Sequence, residues 1–485
     1  MPQSSIQSGF TKNMNKTIII FLIIVIAGFS IRIYDLAENP LDFDESIHAF
    51  TSFLLFKEGI YNYEPATHGP FLYYITAGIF HVAGDNIMSA RLLPAVFGGL
   101  MVLLLFPLRR FLGDVKFILI SGMFAFSYSF IIFSRQIRHD IFITFFILAF
   151  LACMVLFVEG HSKSYLYLGF ASLAITMAIK PTTYIFMFIL VFFLILKKNI
   201  FLPFILNYLK NNRIYSIIYI ALIFIAINYL FYHDISAGFF KMASTWIEMY
   251  KLDSNRNDFL FPPVYFYLLN LIKYEFLIFV TGLIGCVYYL SSKKENHFIN
   301  FCSFWALCSL LIFSIMAYKT PDLILNILLP FTIVSGFFLG DIIDRFFYKD
   351  RLILKLTIIL LLILSLYINS PIAPSNVNNE YEKITEFINK TDQENIYFLS
   401  PLGNFFGVQW PLPWYLREYN LFQIDSKGHV IELDYLFDER YNAKKFVRNY
   451  EEKGIIITSQ NVTYMEKLGY NNSKHFEKSK FYIYY

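Results

Sequence analysis

Residues 17–48 read TIIIFLIIVIAGFSIRIYDLAENPLDFDESIH. The first half is an apolar run of the length one membrane helix requires, about 20 residues. The second half leaves that run and sets three carboxylates, Asp42, Asp44 and Glu45, directly beyond it. The run predicts a span over 17–34. No small-residue cleavage signal follows it, so it reads as a retained helix rather than a removed signal peptide. Carboxylates grouped where a chain leaves lipid point to chemistry at the membrane surface.

Outward from this stretch the pattern repeats. Further spans are predicted near 88–108, 117–134, 141–158, 164–179, 183–197, 214–232, 264–290, 298–317, 322–340 and 353–370, eleven in all. The fifth and sixth are short, divided by Lys180-Pro181-Thr182, and read either as full spans or as a broken pair. Composition agrees: 57% of the 485 residues are hydrophobic, 20% aromatic and 16% charged, against roughly 25% charged in soluble domains. Mean hydropathy is +0.52. A net charge of +4 is too small to imply nucleic acid. The cysteines, Cys153, Cys286, Cys302 and Cys308, lie in apolar stretches without disulfide or zinc spacing, as small core residues do.

Basic residues orient the spans. Lys12 and Lys16 precede the first. Arg109, Arg110 and Lys116 follow the second, Lys163 the fourth, and Lys197, Lys198, Lys210 and Arg213 the sixth. Lys293 and Lys294 follow the eighth, and Arg345, Lys349, Arg351 and Lys355 the tenth. With eleven spans all these loops fall on the cytoplasmic side. The loop over 35–87 and everything after residue 371 are then extracytoplasmic in a multi-pass cell-membrane protein. The tail, 372–485, is polar, with short apolar runs (Ile396-Tyr397-Phe398-Leu399, Ile455-Ile456-Ile457) alternating with helix-like stretches over 379–390 and 438–452. That alternation predicts a small external α/β domain beside a helical membrane module over 1–371. No two-fold internal repeat of the transporter kind is visible.

Several ionisable residues break the positive-inside pattern: Arg91, Arg135, Arg138, Lys180 and Lys319. Charge near a bilayer is costly and therefore often functional. Arg91 opens the second span. Arg135, Arg138, His139 and Asp140 bracket the end of the third. An outer-face arginine offers a bidentate fork to a lipid phosphate; the plain alternative is snorkelling to headgroups, which suits Arg135 and Lys319. His68-Gly69-Pro70-Phe71 adds a titratable ring beside a tight turn, in the same loop as the acids. A carboxylate can take a proton from a hydroxyl, and cations can stabilise a leaving phosphate. The combination suits transfer of a group from a lipid phosphate. An ion-coupled transporter would instead carry acids deep within its spans, where Glu275 is the main example.

At these residues the chain resembles the GT-C superfamily of membrane glycosyltransferases. Within it, the chain is similar to the branch of protein O-mannosyltransferases and aminoarabinose lipid A transferases, and most to an archaeal subfamily associated with flipping of lipid-linked glycans. The resemblance rests on Phe43-Asp44-Glu45-Ser46-Ile47-His48, His68-Gly69-Pro70-Phe71-Leu72, Ala90-Arg91-Leu92-Leu93-Pro94 and Arg138-His139-Asp140. A tail motif, Trp410-Pro411-Leu412-Pro413-Trp414-Tyr415-Leu416-Arg417, joins them. It covers about residues 40–140 and 405–420; the other spans match in pattern only.

The resemblance implies a GT-C-like membrane fold and a polyprenyl-phosphate-linked sugar as donor. It implies a protein or lipid-linked glycan as acceptor, an external active site and an inverting displacement. Asp44 would then be the base, Glu45 would orient a substrate, and His68, Arg91, Arg138, Asp140 and Lys180 would bind substrate. No cofactor is implied. A divalent cation, Mg²⁺ or Mn²⁺, on the Asp-x-Asp pair Asp42 and Asp44 stays open, since oxygen ligands suit both. A non-catalytic role in flipping stays open beside transfer. The tail motif reads two ways, as aromatic faces for a sugar or as membrane-interface packing.

Overall fold

The computed structural model describes residues 3–59, 61, 63, 68–203, 206, 215–233, 240–241, 244, 262–292, 296–346, 380–391, 395–399, 412–424, 430–432, 455–458, 473–476 and 481–484. They form two compact units. The first is Met1–Tyr34, Pro65–Phe71 and Arg91–Ile372; the second is Asp35–Glu64, Leu72–Ala90 and Ala373–Tyr485.

The first unit is helical. Among the described residues six helices are long and apolar enough to cross a membrane: Lys16–Ile33, Ile87–Leu112, Asp140–Val158, Tyr215–Tyr232, His297–Ile315 and Pro321–Phe346. Each falls on a predicted span. Two bent helix pairs join them, each with the length and composition of a broken span or a re-entrant loop. Asp114–Phe126 and Tyr128–Ser134 meet at 50°, where Ser127 turns extended and its hydroxyl caps the second helix by accepting from Phe130 N. Phe266–Tyr274 and Phe276–Ser291 meet at 115° across Glu275. The predicted fifth and sixth spans are the shorter helices Ser164–Met177 and Thr182–Leu196. The predicted eleventh, 353–370, lies outside the described residues.

Burial ranks these helices. Pro321–Phe346 has 83% of its apolar window buried and is the central one; Tyr215–Tyr232 has 17% and presents Leu222, Ile225 and Leu230 at the surface a bilayer covers. The central helix packs on Asp114–Phe126 through Gly336, where a Cβ would lie 2.2 Å from Ile120. Small residues at such crossings are how membrane helices approach closely. Lys116 closes the same contact with an ion pair to Asp341 at 2.7 Å.

The second unit differs in kind. The predicted external loop over 35–87 is not open chain: it carries the helices Phe43–Glu58 and Phe71–Ala83. Its tail holds a six-stranded mixed sheet: β1 (Asn395–Leu399), β2 (Asn420–Ile424), β3 (Val430–Glu432), β4 (Ile455–Thr458), β5 (Ser473–Phe476) and β6 (Phe481–Tyr484), in the order β3-β2-β1-β4-β6-β5. Strand β1 runs parallel to β2 and β4; the outer pairings are antiparallel. Helix Glu380–Ile388 sets Ile384 and Ile388 against Ile396 of β1, and Ile47 and Phe50 of the loop helix complete this core with Leu412 and Leu416. The loop helix is thus held by the tail, more than 300 positions away.

Trp414 answers the two readings of the tail motif with a third. It is 1% exposed, with Phe80 at 5.9 Å and the Arg417 guanidinium 4.2 Å from its ring centroid. Arg417 in turn bonds Asp85 Oδ2 at 3.0 Å and the Trp414 carbonyl at 2.9 Å. A face covered in this way stacks on neither sugar nor lipid. Trp410 and Pro411 lie outside the described residues.

Candidate active site

The acidic stretch begins a helix, and its three carboxylates have different roles. Asp42 is the N-cap residue of Phe43–Glu58. Its Oδ1 accepts from Glu45 N at 2.8 Å, while Glu45 Oε2 accepts from Asp42 N at 3.2 Å. This is a reciprocal capping box, which satisfies amides the helix leaves without partners. Glu45, 1% exposed, is therefore engaged locally. Asp44, half-buried in the first turn, takes no part in that box. It sits where the helix macrodipole favours negative charge. One turn further, His48 Nδ1 lies 3.0 Å from the Tyr73 hydroxyl. Among the described residues no three His, Cys, Asp or Glu side chains gather as metal ligands do. Of the candidate cation pair, Asp42 has one oxygen committed to the cap.

In the first unit a second polar group assembles from residues far apart in sequence. His68 adopts the left-handed backbone region (φ 74°), unusual for a side-chain-bearing residue. The next residue explains the turn. Gly69 N donates to Ile179 O at 2.8 Å and Phe71 N to Ala178 O at 3.0 Å. A Cβ on Gly69 would stand 2.2 Å from the Ala178 carbonyl oxygen, so only glycine allows this approach. The His-Gly-Pro element is thereby stitched to the segment that precedes Lys180. His139 seals it from the other side: its Nε2 donates to Gly69 O at 3.2 Å, and its ring meets that of His68 edge-on at 5.0 Å.

Lys180 then reaches two carboxylates. Its Nζ donates to Asp140 Oδ2 at 2.8 Å and to Asp322 Oδ2 at 2.7 Å, and Arg138 Nη1 stands 3.9 Å from Asp322 Oδ1. Asp140 begins the helix Asp140–Val158, and Asp322 lies in the turn Pro321–Leu323 that opens the central helix. Lys180 itself lies between helices. Burial alone would lower its pKa; the two carboxylates outweigh that and raise it above the ordinary lysine value. Two anions and two cations balance within this group; Lys180 is bonded to both carboxylates, while Asp140 keeps its buried Oδ1 without a hydrogen-bond partner among the described residues. Arg138 is the more exposed member, with 16% of its side chain accessible.

Asp322 is not marked by the sequence reading. Its neighbours, Lys319-Thr320-Pro321, read as loop punctuation before an apolar run, and its charge at the head of a span is the only sign. Arg91 is buried, 4% exposed, within Ile87–Leu103. Arg135 has a structural role. Its Nη1 donates to the carbonyls of Ile31, Arg32 and Tyr34 at 2.8, 3.2 and 2.6 Å, closing the end of the first helix. Glu275, the acid within a span, accepts from Ser127 Oγ at 2.8 Å and Ser129 N at 2.7 Å, and so fastens one bent pair to the other.

Residues 67–226 match the family model described as Dolichyl-phosphate-mannose-protein mannosyltransferase. That stretch contains His68, Arg91, Arg138, Asp140 and Lys180, and neither Asp44 nor Asp322. The fold is similar to the crystal structure of ArnT from Cupriavidus metallidurans bound to undecaprenyl phosphate, at 14% identity, with 98% of each chain covered and a TM-score of 0.71. It is similar to the apo structure of the same protein at 13% identity, the same coverage and the same TM-score. At such identities the likeness is one of fold. No curated protein matches the chain.

Proposed function

We propose that this multi-pass membrane protein, whose residues 67–226 match the Dolichyl-phosphate-mannose-protein mannosyltransferase model and whose fold is similar to that of ArnT, is a membrane glycosyltransferase that transfers a sugar from a polyprenyl-phosphate donor to an acceptor hydroxyl on the extracytoplasmic face. Asp44 is the base. The observation that carries the assignment is the division of labour at residues 42–45: Asp42 and Glu45 close the helix cap, and Asp44 is the carboxylate outside it.

In the reaction the acceptor oxygen attacks the anomeric carbon and gives its proton to the Asp44 carboxylate. The bond from that carbon to the donor phosphate oxygen breaks, and the phosphate leaves with the bonding pair. Arg138 and Arg91 are the groups that meet its charge, for which the guanidinium fork is suited. Asp322, Lys180 and Asp140 hold Arg138 in position. A polyprenyl phosphate agrees with the undecaprenyl phosphate bound by the ArnT of similar fold. The external sidedness rests on the segregation of Lys and Arg among the loops.

The test is Asp44→Asn in membranes supplied with a polyprenyl-phosphate sugar. Loss of a positioned base lowers transfer by about 10²–10⁴-fold. Full activity at normal protein level overturns the assignment. Normal glycans in Asp44→Asn, together with a precursor trapped on the cytoplasmic side in a deletion strain, would instead identify a flipping accessory.

A further inference from the structure

The tail motif that ends at Arg417 has no part in the reaction described above, yet its last residue reaches far from its own segment. Arg417 commits every arm of its guanidinium. Its Nε donates to Asp85 Oδ2 at 3.0 Å, its Nη2 to the Asp85 carbonyl, and its Nη1 to the Trp414 carbonyl at 2.9 Å. The same group lies 4.2 Å from the centroid of the Trp414 ring and 5.6 Å from that of Phe53. Phe53 belongs to Phe43–Glu58, the helix that bears Asp44. Asp85 lies between the helices Phe71–Ala83 and Ile87–Leu103. One side chain therefore joins three segments. A planar fork with fixed donors sets direction as well as attraction.

The contacts continue along the Asp44 helix. Ile47 and Phe50, 6% and 1% exposed, enter the apolar core made by Ile384, Ile388, Leu412 and Leu416, and Leu54 packs against it. Lys57 pairs with Glu418 at 3.5 Å, an exposed bridge that adds little by itself. Trp414 also meets Phe80 of the helix Phe71–Ala83 at 5.9 Å. The tail thus meets the Asp44 helix from Ile47 to Lys57. The helix has 16 residues, close to the length of about 12–15 at which an isolated helix is marginal in water. Its capping box orders the first turn but not the direction of the rod. That direction comes from the tail.

We propose that Arg417 is a positioning residue of the transfer reaction: it clasps the Asp44 helix to the tail and so fixes where the base carboxylate stands. The inference rests on the reading of Asp44 as base. It gives the tail domain a part in transfer without a substrate of its own, as the mount of that base. A general base acts only within hydrogen-bond reach of the proton it takes, and a displacement of about 1 Å can cost on the order of 10²-fold in rate. The Arg417 and Asp85 side chains are 20% and 25% accessible, so water partly screens the pair. Its loss should move the base more than it unfolds the chain.

The first measurement is amide hydrogen exchange on the full chain purified in detergent. Arg417→Met keeps an apolar stem over Trp414 and removes the fork. It should speed exchange over residues 43–58 by about tenfold or more and leave the central helix Pro321–Phe346 unchanged. Wild-type exchange over 43–58 overturns the inference. The second measurement is transfer by membranes supplied with a polyprenyl-phosphate sugar. Arg417→Met should lower it by about tenfold or more, and should lower the residual transfer of Asp44→Asn no further, because a residue that acts through the base loses its effect once the base is gone. Equal losses in the two backgrounds overturn the inference in favour of a tail that only maintains the fold. Asp85→Asn removes the charge at the other end of the clasp and should show the same dependence on Asp44; it decides the matter if Arg417→Met does not fold. Loss of transfer in Asp44→Asn with full transfer in Arg417→Met leaves the base assignment standing and overturns the inference alone. Full transfer in Asp44→Asn overturns both.

Discussion

The acidic cap at 42–45 and the charge group around Lys180 both gather ionised side chains and hold them in opposite ways. The cap closes on itself within three residues. The Lys180 group joins partners 40 and 142 positions apart. The cap is a local device whose energy is that of one helix end. The group is a junction of three chain segments buried in a helical unit, where removing one member strands the others. Two clusters that look alike in composition therefore differ in cost, in visibility and in what their loss would disturb.

The largest effect is expected from the junction. Lys180→Met leaves Asp140 and Asp322 buried without their shared cation, a loss of about 3–5 kcal/mol for a broken buried pair. A thermal unfolding series on detergent-solubilised protein reads it directly. Neutralising all three residues together, with Asp140→Asn and Asp322→Asn added, should restore much of that loss, because the stranded charges are then gone. If Lys180→Met unfolds at the wild-type temperature, the group is not a junction.

Glu275 comes next. Its removal by Glu275→Ala orphans the buried Ser129 amide and the Ser127 hydroxyl, for about 1–3 kcal/mol. Glu275→Gln keeps an acceptor and should lose less. Equal losses in the two variants would show that the charge, not the acceptor, fastens the bends.

The smallest effect belongs to the cap. Asp42→Ala should cost about 0.5–2 kcal/mol, and Asp42→Ser much less, since a hydroxyl also accepts from the helix amides. The comparison breaks if Asp42→Ala proves as damaging as Lys180→Met. Asp42 would then act beyond its own helix end, with a bound cation the first thing to look for by metal titration.

Much of the membrane unit is legible in the sequence. The spans at 16–33, 87–112, 140–158, 215–232, 297–315 and 321–346 fall on predicted ones, because a long apolar run has few other uses. The acids at 42–45 are legible as a cluster, as is the unusual position of Arg138, Asp140 and Lys180. Their division into a cap, a candidate base and an ion-paired junction is not. Gly69 shows why. In sequence it is one residue of a turn. Its necessity comes from the Ala178 carbonyl 2.2 Å from where a Cβ would stand, and no local pattern announces that neighbour. Asp322 is hidden for the same reason, its partners lying 142 and 184 positions earlier. The helices inside the 35–87 loop escape sequence reasoning because a short amphipathic helix there gains its partner from the distant tail.

By itself the sequence determined that the chain is a polytopic membrane protein, since bilayer thickness translates directly into run length and charge into loop position. It also placed carboxylates beside the first span. Tertiary structure decided which charges neutralise one another. Lys180 and Lys319 are both single lysines in short loops; among the described residues packing gives one two carboxylates and the other two carbonyls. That difference exists only once segments far apart in the chain share a low-dielectric interior, where the identity of a neighbour within about 3 Å decides whether a charge is satisfied.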